Sequence, residues 1–410
     1  MEGFFTPSCG NGGGVFGWLG PMSDTAVLAA PSPDDATGER WRRVALVVAL
    51  ALAGLGWRFA VYLLTGRTGG PIGFIEAHCV WDCEWYSLLV ENGYQREVGI
   101  PSQPERANWA FFPLYPMLVA VLVHGLGLTS AIAGFLLSNA MTIAAAVLAR
   151  PLLETSRAYW FFVATLMVGP FSVLFSSLYS ESLFVLLTVL TLRALRQSNY
   201  LRAAGWIALL SATRITGVLM LFALATQVIV DHRRQGGRWR DLPGRVLGDR
   251  NLLLAIFLAP VGLFAFMAFL WLHMGDALAF SHIQRSWERD LIGPLAAING
   301  VISGGFRFEY QSLLEWSWLL AGLGGLALCY VLRLRGRLPE AVFCSMALLV
   351  SLSTGVSSMM RFVAGLAPLG MVTAELLTRW RWLAWLSLAI AIALDAAVTI
   401  SWFDSAMFIM

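Results

Sequence analysis

The chain has 410 residues, of which 58% are hydrophobic and 13% charged, and its mean hydropathy is +0.69. Soluble domains are nearer half apolar and a quarter charged, so the composition excludes an ordinary soluble protein. A net charge of +3 leaves no electrostatic footprint for nucleic acid, and the basic residues are all Arg, a bias expected of a GC-rich prokaryotic genome.

Residues 1–39, with the Gly10, Gly12, Gly13 and Gly14 cluster, read as a disordered N-terminal tail. They lack the basic and short apolar regions of a signal peptide, and the glycines neither follow a strand nor open a helix. Residues 40–410 read as one membrane domain. Its apolar runs have the length that spans hydrocarbon as helix, and short alternating barrel segments are missing.

Arg40, Arg42 and Arg43 precede the first run, which predicts a cytoplasmic N-terminus. About eleven spans follow, at 44–64, 109–128, 130–150, 158–177, 181–197, 203–230, 251–273, 313–333, 340–357, 361–378 and 381–403. Alternation places a first outer loop at 65–108, an Arg-rich cytoplasmic loop at 231–250 and a second outer loop at 274–312. Arg333, Arg335 and Arg337 fall inside, in agreement with the positive-inside rule. Arg193, Arg196 and Arg202 do not, and the long run around Arg214 reads either as one span or as a re-entrant pair.

The first outer loop carries Trp81-Asp82-Cys83-Glu84-Trp85-Tyr86. The helical spacing of Trp81, Trp85, Leu88 and Leu89 predicts an amphipathic helix on the outer membrane face. Asp82 between two aromatics suits a general base whose pKa is raised by desolvation, although an interfacial aromatic belt with solvated acids explains the same pattern. Cys79 and Cys83 share this loop; they could pair, but free thiols are the favoured expectation.

Asn108 to Pro116 forms an aromatic, proline-rich span entry with Trp109 and Tyr115. Ser180 and Glu181 suit a helix start. Arg214, with apolar sequence on both sides, costs about 2.5–3.5 kcal/mol to insert and calls for a cavity or a partner. Arg361, before another span, either snorkels or binds a phosphate. The loop containing Asp276, His282, Gln284 and Arg289 reads as a solvated amphipathic segment, and Asp395 as a buried hydrogen-bonded carboxylate.

Taken in order, WDCEWY with ENGY, NWAFFPLYP, LYSESLF, SATRITG and MMRF resemble the PIG-V type second-mannose transferases of glycosylphosphatidylinositol synthesis and their prokaryotic relatives. These belong to the GT-C membrane glycosyltransferases. The resemblance runs from about residue 78 to 368, and GDALAF with the following Gln and Trp is similar to the second loop of bacterial members. It implies an all-α GT-C fold with amphipathic helices in the outer loops. It further implies inverting transfer of a sugar, usually mannose, from a polyprenyl-phosphate donor on the outer face of the membrane.

On that resemblance Asp82 is the expected catalytic base; a leaving lipid phosphate needs cationic stabilisation, for which Arg361 and Arg214 are the candidate donor-phosphate ligands. Trp81, Glu84, Trp85, Tyr86, Trp109, Tyr115, Tyr179, Glu181, Asp276 and Gln284 are the expected substrate contacts. Asp82 and Glu84 make an Asp-x-Glu pair, a candidate site for a divalent cation such as Mg or Mn. The expected partners are the bilayer, the lipid-linked donor, a glycolipid, glycan or protein acceptor, and a membrane partner subunit. Two rivals remain: a transporter or lipid flippase, and a non-catalytic subunit of a glycan-synthesis complex. Isolated charges at span ends, with no internal repeat, disfavour the first.

Overall fold

The computed structural model describes residues 33–99, 105–287 and 289–406, and among these every regular element is helical. The expected tail at 1–39 lies mostly outside them. Contacts divide the chain into residues 1–43 and 44–410. The described part of the first unit is the opening of helix α1 (Pro33–Leu64); everything below concerns the second.

The first loop holds α2 (Gly70–Ala77), with Pro71 in its first turn, and α3 (Asp82–Asn92). α3 is amphipathic, burying Cys83, Trp85, Tyr86, Leu89 and Val90 against α4 (Leu114–Leu126) and α5 (Ser130–Ala149) and leaving Glu84, Glu91 and Asn92 exposed. Next come α6 (Ser156–Val168), α7 (Glu181–Arg196) and α8 (Tyr200–Ser211). Thr129, Thr155 and Asn199 cap α5, α6 and α8 by accepting a backbone N–H of the first turn.

The run at 203–230 is not one helix. It breaks at 212–214, and a 3-10 turn (Ile215–Leu219) leads into α9 (Met220–Arg234). After α10 (Leu242–Gly248), the pair α11 (Arg250–Leu258) and α12 (Val261–Met274) bends by 40° where Pro260 cannot donate to the helix. The second loop carries α13 (Ala279–His282) and α14 (Pro294–Gly304). It leads to α15 (Tyr310–Leu334), α16 (Leu338–Leu352), the pair α17 (Met359–Gly365) and α18 (Ala367–Leu377), bent by 79°, and α19 (Arg381–Phe403).

By length and hydropathy five described helical stretches can cross a bilayer, or seven if each bent pair is one span. The chain is thus a multi-pass membrane protein, but the expected count of eleven is not confirmed. Each expected run is helical in whole or part, several of them shorter than a full crossing.

Side-chain contacts sort the helix ends. Arg196 pairs with Glu340 at 3.0 Å and donates to the Pro151 carbonyl, while Arg335 reaches Glu375 at 2.8 Å and Glu154 at 3.6 Å. Ser198 and Tyr200 donate to Asp231 at 2.9 and 2.7 Å. The end of α7 therefore sits with the Arg335–Arg337 turn and the end of α9. Arg196 thus clusters with the Arg335–Arg337 turn, where simple alternation put it at the opposite end. Leu114 N donates to the Ala212 carbonyl at 3.0 Å, and Ser130, just past α4, donates to Glu91 of α3 at 2.9 Å.

Between α6 and α7 the chain runs irregularly from 169 to 180, buried for most of its length. Close approach of α1 and α5 keeps it there. A Cβ on Gly54 would meet the Met167 carbonyl oxygen at 2.2 Å, and one on Gly134 would meet Leu178 at 2.3 Å. Arg58 of α1 donates to the Met167 carbonyl and to Ser176, each at 2.8 Å, and to Ser172. Ser172 donates in turn to Asp395 at 2.5 Å. Asp395 is the buried, hydrogen-bonded carboxylate expected of it.

Candidate active site

Asp82 is the first residue of α3. A disulfide between Cys79 and Cys83, with Cα atoms 5.1 Å apart, closes the turn before it. The expectation of free thiols is corrected: two cysteines four residues apart across a tight turn come within bonding range. Trp81 in this turn has φ 59, a conformation that costs a bulky residue of order 1–3 kcal/mol unless its surroundings hold it. The Tyr179 hydroxyl accepts from the Asp82 N–H at 2.9 Å and donates to the Val80 carbonyl at 2.8 Å.

Arg361, buried in the first turns of α17, donates through Nη1 to Asp82 Oδ2 at 2.6 Å and through Nε to Glu181 Oε1. Arg214, at the break between α8 and α9, donates to the same Glu181 oxygen at 2.7 Å. Glu181 is fully buried, whereas the Asp82 side chain is 19% and Arg214 20% exposed. Burying such charges is tolerable only because they are mutually paired; removing one partner typically costs about 3–5 kcal/mol. Asp82 therefore has a cationic partner in place of the apolar setting its aromatic neighbours suggested.

A third cation joins them. Arg289, half-buried, donates to Ser358 at 2.9 Å and lies over the Phe362 ring at 5.4 Å, the ring that Arg214 also faces at 5.5 Å. Among the described residues it has no carboxylate partner. Burial, and then repulsion from Arg361, pushes its guanidinium down to about 10. The Tyr86 hydroxyl, which donates to Ser180 at 3.0 Å, is pushed up to about 12 by burial and the Glu181 charge, so it remains a neutral donor.

These groups open on a cavity of about 1330 Å³, above the ~300–1,000 Å³ of ordinary ligand pockets. Of the expected site residues, Asp82, Trp81, Glu84, Trp85, Tyr86, Arg214, Gln284 and Arg361 line it. Five expected contacts do not. Trp109 turns away to donate to the Gln95 carbonyl at 2.7 Å. Tyr115 is fully buried against Ser138 at 2.7 Å. Tyr179 and Glu181 lie beneath the lining, one under the Asp82 turn and one under the arginines. Asp276 sits on the exposed loop, where it caps Leu278 and pairs with His282 at 2.7 Å; that hydrogen bond holds its carboxyl below the usual range.

Arg289 was not among the expected ligands. Its acidic sequence neighbours made it look solvated; the one available signal was Trp287 two positions earlier, which lines the same cavity. The Asp82 and Glu84 pair fits a divalent cation poorly. The two stand two residues apart on a helix, a spacing that turns side chains away from each other, and Arg361 already occupies Asp82 Oδ2. Among the described residues no three His, Cys, Asp or Glu side chains gather around one point.

A helical membrane chain whose cavity joins a helix-start aspartate to clustered arginines has the fold of the GT-C membrane glycosyltransferases. Over 88% of its length it superimposes on ArnT from Cupriavidus metallidurans, crystallised bound to undecaprenyl phosphate, with a TM-score of 0.52 and 15% identity. The chain spans 64% of that protein's length. Residues 72–233 match the family described as mannosyltransferase (PIG-V), and over that segment the resemblance read from the sequence is borne out. The match contains Asp82, Glu181 and Arg214, while Arg289 and Arg361 lie beyond it. No curated protein matches the chain.

Proposed function

We propose that this protein is an inverting glycosyltransferase, most simply a mannosyltransferase, that takes its sugar from a polyprenyl-phosphate donor at the extracytoplasmic face. One observation carries the reading: Arg361 ties Asp82 to Glu181 at the wall of a cavity into which Arg214 and Arg289 also bring positive charge. Three guanidinium groups against the two carboxylates leave an excess cation, suited to a phosphate.

In this mechanism the acceptor hydroxyl gives its proton to Asp82 as its oxygen attacks the anomeric carbon. The bond from that carbon to the donor phosphate oxygen breaks, and the polyprenyl phosphate leaves with the electron pair, its charge met by Arg289, Arg214 and Arg361. Attack opposite the leaving group inverts the anomeric centre. Trp81, Trp85 and Tyr86 offer a wall for the sugar ring.

The outer face is supported by the disulfide beside Asp82, since such bonds persist in oxidising compartments. The Arg335–Arg337 turn and the ends of α7 and α9 lie at the opposite end, as the positive-inside rule asks of a cytoplasmic face. The ArnT structure with undecaprenyl phosphate supports the donor class. The acceptor would be a glycolipid, a glycan or a protein, with a membrane partner subunit as a further partner.

The test is transfer from polyprenyl-phosphate mannose by the purified chain in nanodiscs, with the anomeric configuration of the product read by NMR. A product of inverted configuration supports the proposal. Retention, or substrate crossing the bilayer without any sugar transfer, overturns it.

A further inference from the structure

The turn that carries Asp82 is held more tightly than the start of a helix requires. α3 has no side-chain cap, because Trp81 stands where a Ser, Thr, Asp or Asn would bond the first turn. Three other features take over. The Cys79–Cys83 disulfide encloses Val80, Trp81 and Asp82 in a covalent ring. Inside it Trp81 is kept at φ 59, which a bulky side chain leaves when it is free to do so. The buried Tyr179 hydroxyl then stitches the two sides of the ring together, from the Val80 carbonyl to the Asp82 N–H.

We propose that the Cys79–Cys83 disulfide and Tyr179 form a positioning clamp that holds the Asp82 carboxylate against Arg361 and at the cavity wall, so that full turnover requires the oxidised form. The proposal rests on the reading of Asp82 as the base. Opening the ring lets Trp81 return to negative φ, and because Trp81 immediately precedes Asp82, that rotation re-aims the carboxylate. Arg214 and Arg289 belong to other segments and keep their places. The clamp therefore acts on the chemical step and on the Trp81 side of the sugar wall, and leaves binding of the lipid phosphate by Arg214 and Arg289 alone. A misplacement of about 1 Å at a reacting group costs as much as about a hundredfold in rate.

The experiment uses the full chain in nanodiscs, oxidised or reduced in place, with the state of Cys79 and Cys83 read by peptide mass after alkylation. Cys329 and Cys344, both buried, are followed as controls. Three quantities are measured: kcat, the Kd of polyprenyl phosphate, and hydrogen exchange of the peptide containing residues 80–84. Reduction is expected to lower kcat at least tenfold, to leave the Kd of polyprenyl phosphate, which carries no sugar, within about twofold, and to speed exchange at Asp82 and Cys83. Reoxidation restores all three in the native chain and none in the Cys79→Ser, Cys83→Ser double variant. Tyr179→Phe, with the disulfide intact, gives a smaller fall of the same kind.

An unchanged kcat with the disulfide shown to be open overturns the proposal, as does unchanged exchange at 80–84. Should the oxidised chain transfer no sugar at all, the proposed function falls. The exchange measurement then still decides whether the disulfide holds the turn.

Discussion

Arg361 and Asp82 are joined at 2.6 Å across 279 residues of sequence. The same guanidinium turns its Nε to Glu181, so one side chain of α17 fixes both the start of α3 and the start of α7. The candidate base, the buried acid and the cation are one unit, and substitutions at them should not behave independently.

Asp82→Asn keeps the size of the side chain and removes its capacity to take a proton. Sugar transfer is expected to fall by about 10²–10⁴-fold in kcat, with donor KM little changed. Thermal unfolding and steady-state kinetics on the same preparation separate this from misfolding.

Arg361→Ala leaves Glu181 buried beside Arg214 alone. A loss of roughly 3–5 kcal/mol is expected, seen as a lowered Tm. Adding Glu181→Gln removes the stranded charge and should recover part of that loss, without restoring activity. A double-mutant cycle on Tm measures the coupling; strict additivity would contradict the network.

Arg289→Ala should act on binding instead. Its guanidinium has no carboxylate partner among the described residues and its buried charge costs stability, so Tm should rise while donor KM rises about tenfold, as for one charge-assisted hydrogen bond. The pH dependence has a definite sign. The guanidinium is held down to about 10 in the folded chain, against an ordinary value near 12.5. The folded state thus binds fewer protons than the unfolded state between those values. The cost of keeping this charge is fully present below about pH 10 and is relieved as pH rises from there toward 12.5. An anion relieves it at neutral pH. Inorganic phosphate at pH 7.5 should raise the Tm of the native chain above that in chloride of equal ionic strength, with a smaller rise in Arg289→Ala. Donor affinity should weaken as pH climbs through about 10.

Tyr115→Phe tests the placement of a residue that sequence reasoning put in the site. The hydroxyl bonds Ser138 in the core and lies away from the cavity. About 0.5–1.5 kcal/mol of stability should be lost with kcat and KM unchanged; a specific rise in KM would return Tyr115 to the substrate wall.

The amino-acid sequence by itself determined the helical, membrane-embedded class of this protein, because the length and apolarity of a run are local properties set by hydrocarbon thickness. It also marked Asp82, Arg214 and Arg361, since a charge flanked by apolar residues is conspicuous wherever it lies. Only the tertiary structure decided what those charges do. That Arg361 and Arg214 share Glu181 depends on α7, α17 and the α8–α9 break converging, and no local pattern reports such a meeting. Arg289 was hidden because a polar loop looks solvated until its packing is seen, and Tyr115 misled because an aromatic at a helix start fits a core as well as a cavity. That Arg196 shares Glu340 with Arg337 could not be read from alternation, because it depends on how α7 and α16 pack.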